Sequence, residues 1–141
     1  MLLNIVIAIG LMILTTAMHA GGMVLASHGV KAHALERKER LRFPQLFWVA
    51  YVIQVMFVVA LLEVLLWAGA YVALGAIEGI ETATYFSMVT FTTLGYGEIV
   101  LEERWRLLAS FQAATGIIMF GWTTAIVIAI VQRAYFPDKT G

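Results

Sequence analysis

Apolar positions fall into three long runs. Residues 1 to 30 contain no Asp, Glu, Lys or Arg, residues 43 to 77 contain only Glu63, and residues 107 to 132 contain none. A helix needs about 20 residues to cross a bilayer, so each run predicts a membrane span. The first lacks the basic start and short apolar stretch of a cleaved signal peptide, and reads as a retained helix. Between the second and third runs, residues 80–92 are apolar and aromatic but too short to cross, the length of a re-entrant helix. The expected order is a span over 1–30, a basic linker over 31–43, a helix over 44–76, a re-entrant helix over 80–92, a loop over 92–97, a helix over 104–135 and a tail over 137–141. This is an all-α membrane protein.

Composition agrees with that reading. Of the residues, 62% are hydrophobic and 13% charged, and the mean hydropathy is +0.90. A soluble domain carries about 25% charged residues. Net charge is zero and no extended basic patch exists, so nucleic acid is not an expected partner. The absence of cysteine removes disulfides and thiolate chemistry. No nucleophile–base arrangement or metal-ligand cluster stands out, so no enzyme activity and no cofactor are expected.

Charge also orients the chain. The linker holds Lys31, Arg37, Lys38, Arg40 and Arg42 against Glu36 and Glu39, which places it in the cytoplasm. The opposite loops carry Glu78, Glu81, Glu98, Glu102 and Glu103 against Arg104 and Arg106, a balance that concentrates cations. The N-terminus is then outside and the C-terminus inside. Trp48 and Trp105, near span ends, are candidates for the membrane interface, whereas Trp67 and Trp122 are not explained this way.

Chemistry concentrates in Thr92-Thr93-Leu94-Gly95-Tyr96-Gly97. Glycines allow dihedrals that a Cβ resists, so successive carbonyls can turn toward one axis instead of alternating as in a strand. Stacked inward carbonyls replace water around a dehydrated cation. The longer stretch YFSMVTFTTLGYG, from Tyr85 to Gly97, followed by Glu98 and a final helix with Gly116, resembles the pore module of potassium channels, most closely the small bacterial members of the two-transmembrane ion channel superfamily. The resemblance covers roughly 44–136 as outer helix, pore helix, filter and inner helix, and leaves the first span outside.

It implies a homotetramer around one pore, with K+ as the permeant ligand and the bilayer as surroundings. Carried over by position, the ion-coordinating groups are the carbonyls of Thr93, Leu94, Gly95 and Tyr96 and the Thr93 hydroxyl, flanked by Thr92 and Gly97. Leu94 stands where valine is commoner and Glu98 where aspartate usually follows, with the Tyr85 hydroxyl a candidate partner for Glu98. Val89 occupies a position where some members place a buried glutamate. The aromatic residues around the filter read as bracing. Glu81 suits the first turn of the pore helix, whose carbonyl end then points toward the pore centre.

In the last span, Ile117, Phe120, Thr124 and Ile128 recur at helical spacing and form the expected cavity lining and gate. Gly116 matches the position where the family's inner helix bends, and Gly121 is a second weak point. Both also read as sites of close helix packing. Glu63 is the one acid inside a span, about 28 Å along from Pro44. It is expected to accept hydrogen bonds from the pore helix or an adjoining loop, with a proton sensor as the competing reading. His19 and His28, about 900° apart around a helix, cannot share a metal, and His33 belongs to the linker. His19 reads as a packed residue. Ala17, Ala20, Gly21 and Gly22 make a small-residue surface, so the first span is expected to dock on the pore module. It has no arginine ladder and is not a voltage sensor. Six residues follow Tyr135, so gating by a soluble nucleotide or calcium domain is not expected. The leading reading is a potassium-selective channel. The alternatives are a weakly selective or non-selective cation channel and a non-conducting accessory subunit.

Overall fold

A computed structural model describes residues 2–34 and 43–135. Most of the predicted basic linker, and the tail over 137–141, lie outside the described residues. Four helices follow in order: α1 Leu2–Ala34, α2 Phe43–Ala73, α3 Ile80–Phe91 and α4 Glu103–Tyr135. Three carry segments long and apolar enough to cross a membrane: Leu2–Gly29, Phe47–Ala73 and Glu103–Gln132. With 12 residues, α3 is about 18 Å long and too short to do so. The protein is an all-α membrane protein.

The contacts give the directions. Against α2, α1 pairs Thr15 with Trp67, His19 with Glu63 and Gly22 with Val59, so numbers fall as the other rises and the two helices are antiparallel. Against α4, Asn4 donates to the Arg104 carbonyl, His19 meets Thr123, and Ala26 packs near Ile130, so α1 and α4 are parallel. The largest core joins all four helices through Ala8, Leu11, Trp67, Tyr71, Phe86 and Leu108. Trp105 is also buried there, so this indole belongs to the core and not to an exposed interfacial ring.

Helix α2 stops three residues earlier than its apolar run suggests. Gly75 adopts φ 65°, and the amides of Gly75 and Ala76 donate to the carbonyls of Val72 and Tyr71. That is a Schellman closure, with glycine supplying the left-handed residue.

The buried face of α1 is a single stripe of Asn4, Ala8, Leu11, Thr15, His19, Gly22 and Ala26, in steps of three and four. Of the four small residues expected to dock, Ala17 and Gly21 are exposed, and Gly22 is the one that meets α2. Adjacent small residues lie about 100° apart around a helix and cannot share a seam. A Cβ on Gly22 would lie 2.4 Å from Val59 Cγ2, whereas one on Gly21 meets nothing within 4 Å. Gly22→Ala is therefore expected to destabilise the protein by about 1–3 kcal/mol. Gly21→Ala is expected to remain neutral or gain up to about 1 kcal/mol from helix propensity. Thermal unfolding in detergent distinguishes the two variants, and equal losses would remove this assignment of the docking face.

Candidate ion pathway

Helix α3 starts after Gly79, carries Glu81 in its first turn, and is wedged between α2 and α4. Its last residue, Phe91, lies against Gly116, about 14 Å along α4 from Leu107, where the charge-free run of that helix begins. The helix therefore ends near the middle of a hydrocarbon layer about 30 Å thick. Its negative dipole end is displayed at that depth.

The same closure that ends α2 also ends α3. Leu94 N–H donates to the Val89 carbonyl at 3.0 Å and Thr93 N–H to Thr90 at 3.0 Å, with Thr92 as the cap. Here the left-handed position is filled by Thr93, with φ 59°. A β-branched residue is disfavoured in that region, and such strain persists where surrounding structure imposes it, characteristically at functional sites. Positive φ then recurs at Gly95, 55°, and Gly97, 87°, and is absent at Leu94 and Tyr96. Backbone handedness thus alternates along Thr93-Leu94-Gly95-Tyr96-Gly97. In such a strip successive carbonyls face the same side, unlike those of a pleated strand.

Around this strip, Val89 is buried. The Thr92 hydroxyl donates back to the Met88 carbonyl at 2.8 Å. Leu94 and Tyr96 remain 54% and 67% exposed, so neither packs behind the loop within its own chain. The nearby Glu98 carboxylate raises the pKa of the Tyr85 hydroxyl above the usual phenol value.

A buried polar chain holds α3 in place. Tyr71 Oη–H donates to Gln112 Oε1 at 2.7 Å, Gln112 Nε2 donates to Ser87 Oγ at 2.6 Å, and Ser87 Oγ–H donates to the Val64 carbonyl at 2.7 Å. It ties α2, α3 and α4 together six residues before Thr93. The sequence reading did not single out Gln112, Ser87 or Tyr71, although an amide within a charge-free apolar run is itself a signal. Gln112→Leu leaves the Tyr71 hydroxyl and the Ser87 oxygen short of a partner. It is expected to cost about 1–3 kcal/mol per chain, read as a lower unfolding temperature, and an unchanged temperature would contradict that role.

On α4, Ile117, Phe120, Thr124 and Ile128 are all exposed on the single chain, as a stripe facing away from the bundle core would be. Phe120 packs edge-on to Phe91 at 5.6 Å, and the Thr124 hydroxyl donates to the Phe120 carbonyl at 2.8 Å. The two glycines differ. A Cβ on Gly116 would lie 1.9 Å from the Phe91 carbonyl oxygen, whereas Gly121 has nothing within 4 Å. Close approach of α4 to the end of α3 accounts for Gly116.

Glu63 does not bond to α3 or an adjoining loop. Its Oε1 lies 2.9 Å from His19 Nδ1, and His19 Nε2 lies 3.2 Å from the Thr123 hydroxyl. The Glu63 Oε2 has no partner among the described residues. His19 is therefore not a lone packed histidine but a bridge across α1, α2 and α4. The Trp122 ring sits 5.3 Å from the imidazole, and the Trp67 indole donates to Thr15, which places the two tryptophans left unexplained by an interface. Among the described residues no cluster of three or more His, Cys, Asp or Glu side chains is placed to hold a metal.

Three spans, with a half-length helix held between two of them and ending at mid-membrane in a backbone strip of alternating handedness, define a membrane protein of the pore-loop class. The sequence pattern of the ion channel family matches residues 59–133, more than half of the chain, and the protein belongs to this two-transmembrane ion channel family. The match runs from α2 into α4 and leaves α1 outside. Comparison with curated proteins and with solved structures gives no match.

Proposed function

We propose that four copies of the chain surround a potassium-selective pore. Its narrowest part is lined by the carbonyls of Thr93, Leu94, Gly95 and Tyr96, with the Thr93 hydroxyl completing the innermost level and Thr92 and Gly97 flanking it. The observation that carries this reading is the alternation of backbone handedness at Thr93, Gly95 and Gly97. One chain offers one oxygen per level, and a dehydrated ion needs a ring of them. Four chains supply the ring.

Several features support the arrangement. The carbonyl end of α3 favours a cation at mid-membrane. Large apolar side chains at Leu94 and Tyr96 are exposed on one chain, which suits burial against a neighbouring copy. The stripe Ile117, Phe120, Thr124 and Ile128 lines the cavity below, and Tyr85, Val89 and Glu98 support the filter. The basic linker sets the N-terminus outside and the C-terminus in the cytoplasm.

Purified protein in liposomes tests the proposal. A potassium gradient is expected to drive cation flux that a sodium gradient does not, from a species with the mass of four chains. Equal flux of both ions would establish a non-selective pore instead. The absence of any flux would favour a non-conducting subunit.

A further inference from the structure

Helix α1 lies outside the family match, yet it places an ionisable side chain inside the bundle. His19 is 1% exposed and Glu63 is fully buried. One imidazole contacts Glu63 Oε1 on α2 at 2.9 Å and the Thr123 hydroxyl on α4 at 3.2 Å. Nδ1 faces a Glu63 carboxyl oxygen and Nε2 faces the hydroxyl, so both ring nitrogens are engaged. Residues 1–30, 43–77 and 107–132 contain no other Asp, Glu, Lys or Arg, so Glu63 has no alternative ionic partner within the spans. Removing one member of a buried pair leaves an uncompensated group in a low-dielectric interior, which holds the imidazole in place.

The rest of the α1 seam is a different kind of contact. Ala8, Leu11, Gly22 and Ala26 are small or aliphatic and carry no directional bond across to α4. The Asn4 contact joins the start of both helices, and His19 makes a directional tie from the middle of α1 to α4. It acts on the turn of α4 that contains Phe120 and Thr124, which belong to the proposed cavity lining. Beyond that turn, α4 meets α1 and α2 through apolar contacts around Ala26, Val52 and Met56.

We propose that His19 is a positioning residue for the pore. It makes α1 a strut that fixes the Thr123 turn of α4 against α2, and so sets the balance between conducting and non-conducting arrangements of the half of α4 beyond Thr123. This inference rests on the reading of the chain as a potassium channel.

Single-channel recording of the full chain in planar bilayers tests it with two variants. Thr123→Val cuts only the arm to α4 and keeps the His19–Glu63 pair. His19→Leu combined with Glu63→Leu removes the pair without stranding a charge. Both are expected to keep the wild-type potassium preference and unitary conductance while shifting the ratio of open to closed time by about 2- to 30-fold. Their combination is expected to add little, because all three residues belong to one linkage. Wild-type open-to-closed ratios in both variants would overturn the proposal and leave α1 as packing alone. A wild-type protein without potassium-selective current would instead overturn the channel reading, and this inference with it.

Discussion

Replacing Gly95 by alanine is expected to abolish potassium flux while leaving insertion and assembly intact. Gly95 has φ 55°, and an added Cβ meets nothing within 4 Å in its own chain, so the penalty is conformational and not steric crowding. Holding an L-residue in the left-handed region costs about 1–2 kcal/mol. In the proposed tetramer, four copies in one ring raise that to about 4–8 kcal/mol for the conducting backbone. At 1.4 kcal/mol per tenfold, that backbone is depopulated about 1,000-fold or more. Thr93 tolerates φ 59° in the same strip because two hydrogen bonds of 3.0 Å closing α3 impose it, whereas Gly95 N–H reaches the same Val89 carbonyl at 3.3 Å and Gly97 lies beyond the closure. Flux from liposomes is the measurement, with the mass of the assembled variant as its control. Wild-type selective flux in an assembled Gly95→Ala protein would remove the filter assignment.

Gly116→Ala is expected to have the second largest effect, and its sign separates two roles. Ordinary contact begins near 3.4 Å, and the new Cβ would sit 1.9 Å from a backbone oxygen of Phe91. Backbone cannot rotate aside as a side chain can, so α4 and the end of α3 must separate by more than 1 Å. Overpacking of this kind costs about 1–3 kcal/mol per chain, and here it displaces the residue that precedes the Thr92 cap. Both the unfolding temperature and potassium flux are expected to fall. If Gly116 served only as a bending point, alanine would raise helix stability by up to about 1 kcal/mol. A variant with an unchanged or higher unfolding temperature would contradict the packing role.

The helices and the alternating strip were legible because their signals are local. Long runs with at most one charge fix the spans, a 13-residue segment too short to cross fixes a half-span, and glycine at every second position of a short loop marks the backbone that follows. The partner of Glu63 was not legible. His19 lies 44 residues away on a helix outside the pore module, and no periodicity within one helix tells which neighbour it meets. Its depth suggested α3, but α1 also reaches that depth. The docking face of α1 was misread for a related reason: Ala17, Ala20, Gly21 and Gly22 cluster in sequence, whereas a helix sorts them to different sides. In sequence Gly116 reads equally as bend or contact, and its closeness to the Phe91 backbone decides for contact. Thr93 carries the converse lesson, since nothing in a threonine announces a left-handed backbone.

Under the proposed function, the carbonyl strip from Thr93 to Tyr96 selects potassium. A bi-ionic reversal potential on single channels, with potassium on one side and sodium on the other, tests it most directly. A potential favouring potassium by at least about 59 mV is expected, the value for a tenfold preference of a monovalent ion. A reversal potential near zero would contradict it.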